Sequence, residues 1–147
     1  MTLSGAGEAQ GHAQATPSTC STPSVVSHRG YGSGGMENTV KAFERVLAAG
    51  SKRVEFDVRF TKDHYPVLMH DALADRTTSG AGQVSDMTLA QFRELRTTDT
   101  QRPPTLSEVL ELVRGRAEEV LVELKEIPDA QDLRSLENDY DRFDAYR

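Results

Sequence analysis

Four short clusters in the 147-residue chain hold side chains able to do chemistry: His28-Arg29-Gly30, Glu55-Phe56-Asp57, His70-Asp71 and Glu123-Leu124-Lys125. An imidazole moves a proton near neutral pH, a guanidinium grips a phosphate by two parallel bonds, and a glycine lets a backbone approach closely. A lone His28 would more often be an inert histidine, but its adjacency to Arg29 and Gly30 points to proton transfer beside an anion. Two carboxylates at i and i+2 on one strand sit ~7 Å apart at their backbones, and their oxygens can close on one hard divalent cation. Glu55 and Asp57 have that spacing, and Glu123 from another segment completes the set. Three carboxylates without a Cys or a His pair at ligand spacing favour Ca²⁺ or Mg²⁺ over Zn²⁺. Lys125 is either a surface charge or, on the face of Glu123, an inward-pointing cation that a phosphate or a carboxylate must compensate.

These residues need strands and helices to place them. Ser24 to Ser27 reads as a strand that ends in His28-Arg29, followed by a Gly-rich loop through Gly35. Asn38 or Thr39 then caps a helix whose Val40, Phe43 and Leu47 recur at helical spacing and which Gly50 ends. From Val54 to Phe60 apolar residues occupy even positions and charged residues odd ones, the period of a strand. Alternation alone would let Glu55 and Asp57 face water on a half-exposed strand. A second strand, Pro66 to Met69, follows after only Thr61 to Tyr65, too few residues for a parallel crossover, so the pair should be an antiparallel hairpin. A turn centred near Asp63 brings His70 opposite Phe56 and Asp57, within about 5 Å. His64 in that turn is expected in solvent. Thr88 with Gln91, and Thr105 with Glu108, are capping boxes opening two helices. Gly115 closes the second, Val120 to Lys125 is a strand, and Leu133, Leu136, Tyr140 and Phe143 mark a last amphipathic helix.

Composition limits the alternatives. Apolar residues make up 37%, charged residues 27%, and the net charge is −6. No basic stripe exists to hold a phosphate backbone, so a general nucleic-acid binder is excluded. No apolar run reaches the ~20 residues of a membrane span. Residues 1–23 carry one charge, Glu8, and read as a disordered leader ahead of a partial domain over 24–147. With no Lys or Arg before Arg29 there is no secretory signal, which leaves a cytoplasmic location by default. The single cysteine, Cys20, excludes a disulfide framework.

Taken in order, the motifs resemble the glycerophosphodiester phosphodiesterase family: His28-Arg29-Gly30, Glu37-Asn38-Thr39, Glu55-Phe56-Asp57, Thr61-Lys62-Asp63, His70-Asp71, Arg76-Thr77-Thr78, Pro104-Thr105-Leu106-Ser107-Glu108 and Glu123-Leu124-Lys125. Met36 and His64 depart from the pattern, where proline and glycine usually stand. The resemblance implies an α/β fold of the (β/α)₈ barrel type that hydrolyses glycerophosphodiesters to sn-glycerol 3-phosphate and an alcohol with Ca²⁺ or Mg²⁺. On it, His28 and His70 would be the general acid and base, Glu55, Asp57 and Glu123 the metal ligands, and Arg29 and Lys125 the phosphate contacts. The 2-hydroxyl of glycerol would be the nucleophile. A complete barrel takes ~250 residues. This chain supplies about four strands, the first half, and its unpaired edges leave self-association open. A phospholipase D-like or phosphoinositide-specific lipase, and a non-catalytic half-barrel that needs a partner, are the alternatives.

Overall fold

The structure is a computed structural model and describes residues 24–31 and 36–143. The expectations for the leader, for Cys20 and for most of the Gly-rich loop lie outside the described residues. Strands β1 (Ser27–His28), β2 (Arg53–Phe60), β3 (Pro66–Leu68) and β4 (Glu119–Leu124) form one sheet. The helices are α1 (Val40–Ala48), α2 (Leu89–Phe92), α3 (Leu106–Val113) and α4 (Ala130–Phe143).

β2 is the axis of the arrangement. Its even residues Val54, Phe56, Val58 and Phe60 are buried against α1, α3 and α4, together with Phe43, Leu106, Val109, Leu110, Val113, Leu136 and Phe143. Phe43 meets Phe56 edge to face, with ring centroids 5.8 Å apart. The odd residues Glu55, Asp57 and Arg59 are thereby turned to the opposite, inner face. A second apolar cluster, Val67, Met69, Ala74, Val84, Phe92 and Leu95, closes the far side of the hairpin.

The register explains how the site is assembled. β4 runs parallel along one edge of β2, from Arg53↔Glu119 to Val58↔Leu124. β1 pairs parallel on the other edge, Ser27↔Val54 and His28↔Glu55. β3 returns antiparallel, with Val58↔Leu68 and Phe60↔Pro66. Because β4 already pairs at Val54, Glu55 and Val58, β1 and β3 share the remaining edge and approach each other head-on. One ends at His28; beyond the other, the Met69 amide donates to the Asp57 carbonyl at 3.2 Å, just before His70. Two histidines so reach the level of the two carboxylates.

The expected elements are present, with local differences. β1 begins at Ser27, three residues later than the expected Ser24. Thr39, not Asn38, caps α1, accepting from the Ala42 amide at 3.1 Å. Both capping boxes form, although α2 is only one turn long. Leu133 is 43% exposed, because the buried face of α4 runs through Asp132, Leu136 and Phe143 instead. The inner and outer faces, the parallel pairs and the outer helices make this a partial (β/α)₈ barrel with a hairpin between its second and third strands. No helix among the described residues is long and apolar enough to cross a membrane.

Candidate active site

Asp57 is the centre of the inner face and is fully buried, not half-exposed. Asn38 donates Nδ2 to its Oδ2 at 2.7 Å and accepts its backbone N–H at 3.2 Å. Arg29 Nε lies 3.0 Å from the same Oδ2. Oδ1 is buried and accepts no hydrogen bond, with Lys125 Nζ 3.5 Å away. Oxygens of Glu55, Asp57 and Glu123 all lie within 4.8 Å of one another. A buried carboxylate oxygen without a donor, in a set of three carboxylates, fits a hard divalent cation. The carboxylate oxygens come from two neighbouring strands, with Asp57 and Glu123 directly paired in the register.

The cations surround this set. Lys125 donates to Glu123 Oε1 at 2.7 Å. That contact raises the Lys125 pKa and lowers that of Glu123, so both stay charged. Arg29 donates its backbone N–H to Glu55 Oε2 at 2.9 Å, and His28 Nε2 lies 3.7 Å from the same oxygen. Arg29 reaches this place through a left-handed backbone, φ +54° at Arg29 and +71° at Gly30. Gly30 is required there: a Cβ would stand 2.9 Å from Ala42 Cβ and 3.0 Å from its carbonyl carbon. Asn38 is also left-handed, φ +55°. Strained residues of this kind persist where surrounding bonds over-determine them.

His70 is held from two sides. Its carbonyl accepts from Arg59 Nε and Nη2 at 3.0 and 2.8 Å, and Arg59 pairs with Glu126 at 3.2 Å. Its Nδ1 meets Asp71 Oδ1 at 2.6 Å. Arg76 binds the other Asp71 oxygen and also Glu37, and Arg29 joins the same Glu37 at 3.3 Å. Asp71 is held far below the ordinary carboxylate range, first by Arg76 and then by His70.

The structure therefore brings together all three expected carboxylates with Arg29 and Lys125, sets His28 beside Glu55, and ties His70 through Asp71. Sequence reasoning gave no role in the site to Asn38, which it offered only as a helix cap, nor to Glu37, Arg76, Arg59 or Glu126. Asn38, Glu37 and Arg76 lie in motifs already singled out. Arg59 had one signal, its odd number on β2, and Glu126 had none. His64 is corrected: far from facing only solvent, its Nδ1 lies 2.8 Å from Asp132 Oδ1 and 3.6 Å from Asp129 Oδ1. Those two aspartates cap α4 reciprocally, Asp129 Oδ1 accepting the Asp132 amide and Asp132 Oδ2 the Asp129 amide. The backbone amides of Asp132 and then Gln131 lower the pKa of the Asp129 carboxyl.

Comparison with known proteins gives consistent findings. A sequence profile of the Glycerophosphoryl diester phosphodiesterase family matches residues 28–145. A glycerophosphodiester phosphodiesterase of Caldanaerobacter subterraneus subsp. tengcongensis is 39% identical over 108 residues, 69% of this chain and 44% of that protein. A probable glycerophosphodiester phosphodiesterase of Mycobacterium tuberculosis is 51% identical over 73 residues, 50% of this chain and 27% of that one. Among solved structures, a glycerophosphodiester phosphodiesterase from Agrobacterium tumefaciens superposes with a TM-score of 0.73 at 31% identity, over 84% of this chain and 54% of that one. An Oleispira antarctica phosphodiesterase in complex with sn-glycerol-3-phosphate gives 0.73 at 27% identity, covering 82% and 53%. The chain spans about half the length of these structures or less of the sequence relatives.

Proposed function

The chain belongs to the glycerophosphoryl diester phosphodiesterase family, and from that premise we propose that it carries the metal-dependent site of an enzyme that hydrolyses glycerophosphodiesters to sn-glycerol 3-phosphate and an alcohol. The observation that carries this reading is the convergence of the Glu55, Asp57 and Glu123 carboxylates, together with a buried Asp57 Oδ1 that accepts no hydrogen bond. Those three residues would hold Ca²⁺ or Mg²⁺, which when bound neutralises charge and polarises the phosphoryl oxygens. Arg29 and Lys125 bind and orient the phosphate from either side of Asp57. His28 and His70 serve as general acid and base: one takes the proton of the glycerol 2-hydroxyl as its oxygen bonds to phosphorus, and the other protonates the departing alcohol oxygen. Water then opens the cyclic diester with the two roles exchanged. The product seen in the Oleispira protein is the one this scheme releases.

The test is a chimera in which residues 24–147 replace the matching half of the Caldanaerobacter relative, assayed on glycerophosphocholine with Ca²⁺ and with Mg²⁺. Release of sn-glycerol 3-phosphate is expected, and His28→Ala or His70→Ala should each lower kcat by at least ~10². Unchanged kcat in either variant removes that histidine, and cleavage of sphingomyelin in preference would favour the lipase reading. A half-barrel acting only with a partner chain is favoured by one observation, the exposed Leu121 and Leu124 on β4.

A further inference from the structure

Asp71 stands between two partners. Its Oδ1 meets His70 Nδ1 at 2.6 Å, and its Oδ2 accepts from Arg76 Nε at 2.5 Å. The terminal nitrogens of Arg76 are turned onto Glu37, Nη2 to Oε1 at 2.6 Å and Nη1 to Oε2 at 3.0 Å. Arg29 Nη1 donates to that same Oε1 at 3.3 Å. One guanidinium thus lies between the carboxylate that meets the His70 ring and the carboxylate that meets Arg29. We propose that Arg76 is a positioning residue: through Asp71 it fixes the orientation and tautomer of His70, and through Glu37 it fixes the Arg29 side chain. This rests on the reading of His70 as a proton-transfer group and Arg29 as a phosphate contact.

The chemistry follows from what each group can donate. An ionised carboxylate only accepts, so Asp71 requires a proton on His70 Nδ1 and leaves the lone pair of the neutral ring on Nε2. That selection holds only while Asp71 stays ionised. The bond from Arg76, followed by that from His70, secures it by holding the Asp71 carboxyl well below its usual range. Arg76 has the same effect on Glu37. The geometry needs a fork: one edge of the guanidinium serves Asp71 while the two terminal nitrogens serve Glu37, which a lysine's single ammonium cannot reproduce. Arg76 is 48% exposed, whereas Glu37 is only 10% exposed, so the clamp reaches inward from the rim. A histidine ligand or base oriented by a second carboxylate is a recurrent arrangement, and loss of the outer group then acts through the ring.

The tautomer of His70 can be read directly from its imidazole nitrogen-15 resonances in the full 147-residue chain, at a pH where the ring is neutral. In the parent chain, Nδ1 is expected to resonate as the protonated nitrogen and Nε2 as the unprotonated one. Arg76→Met should mix the tautomers, moving the two resonances toward each other, with the dispersed amide spectrum retained. Arg76→Lys should lie between the two. A parent-like tautomer in both variants overturns the proposal, and so does collapse of the folded spectrum in both, which would assign Arg76 to the fold. Failure of the functional reading looks different: His70→Ala would keep full turnover in the chimera while the tautomer still responded to Arg76.

Discussion

Asn38 does for Asp57 what Arg76 does for His70, but from a buried position. Its amide bonds both the carboxylate and the backbone N–H of Asp57, so it sets where the oxygen without a donor points. Asn38→Ala is expected to weaken Ca²⁺ or Mg²⁺ binding by about 10–100-fold, the usual effect of losing a group that orients a ligand. Calorimetric titration of the chain with each cation checks this, and an unchanged affinity would detach Asn38 from the site. The depressed Asp71 carboxyl makes a second expectation. A group that binds its proton less readily when folded contributes stability above its ordinary value near about 3.9, and that contribution is lost as pH falls below it. Glu37 shifts in the same direction through Arg76. Denaturant midpoints measured from neutral pH down to pH 3 should therefore fall more steeply in the parent chain than in Asp71→Asn; parallel curves would contradict the linkage.

At the scale of elements, what was legible in the sequence was whatever a short repeat or a local bond dictates. The alternation from Val54 to Phe60 specifies a strand and its two faces, and the box Thr105 with Glu108 starts α3 as expected, the Thr105 amide meeting Glu108 Oε2 at 2.9 Å. Thr105→Ala should cost about 1 kcal/mol of stability, measurable as a lowered denaturation midpoint with unchanged slope. The burial of Asp57 was not legible in the same way. Alternation places a carboxylate on a face but does not say whether that face is wet, and here Asn38, Arg29 and Lys125 from three other segments enclose it. For the same reason His64 was misjudged: its partner Asp132 is sixty-eight residues away, beyond any local pattern. Leu133 carries the helical period of α4, yet the helix is rotated so that Asp132 is buried in its stead. The i, i+2 spacing was enough to put Glu55 and Asp57 on one face of a strand, whereas the approach of Glu123 comes from the β2–β4 register, which no local spacing dictates.

For the whole molecule the controlling feature is the free edge of β4. It pairs with β2 on one side, and among the described residues no strand pairs with the other. Leu121 and Leu124 on it are 39% and 37% exposed, and Ile127 just beyond is 97% exposed. Such an edge is a template for another strand. The chain should therefore elute above its 16.2 kDa monomer mass in size-exclusion chromatography with light scattering, and Leu121→Lys with Leu124→Lys should return it toward the monomer. A parent chain that stays monomeric at high concentration would show that this edge is protected. The hairpin has a different consequence. Leu68 joins one apolar cluster while Val67 and Met69 join the other, so both faces of β3 are greasy and the core would scarcely register a one-residue slip. The turn, where the Thr61 amide donates to the Tyr65 carbonyl and the His64 amide to the Thr61 carbonyl, counts the residues, seconded by the bond from the Leu68 amide to the Pro104 carbonyl. A one-residue insertion there would carry His70 about 3.4 Å along β2 and turn its ring to the opposite face: a ruler misread, felt first by the chemistry.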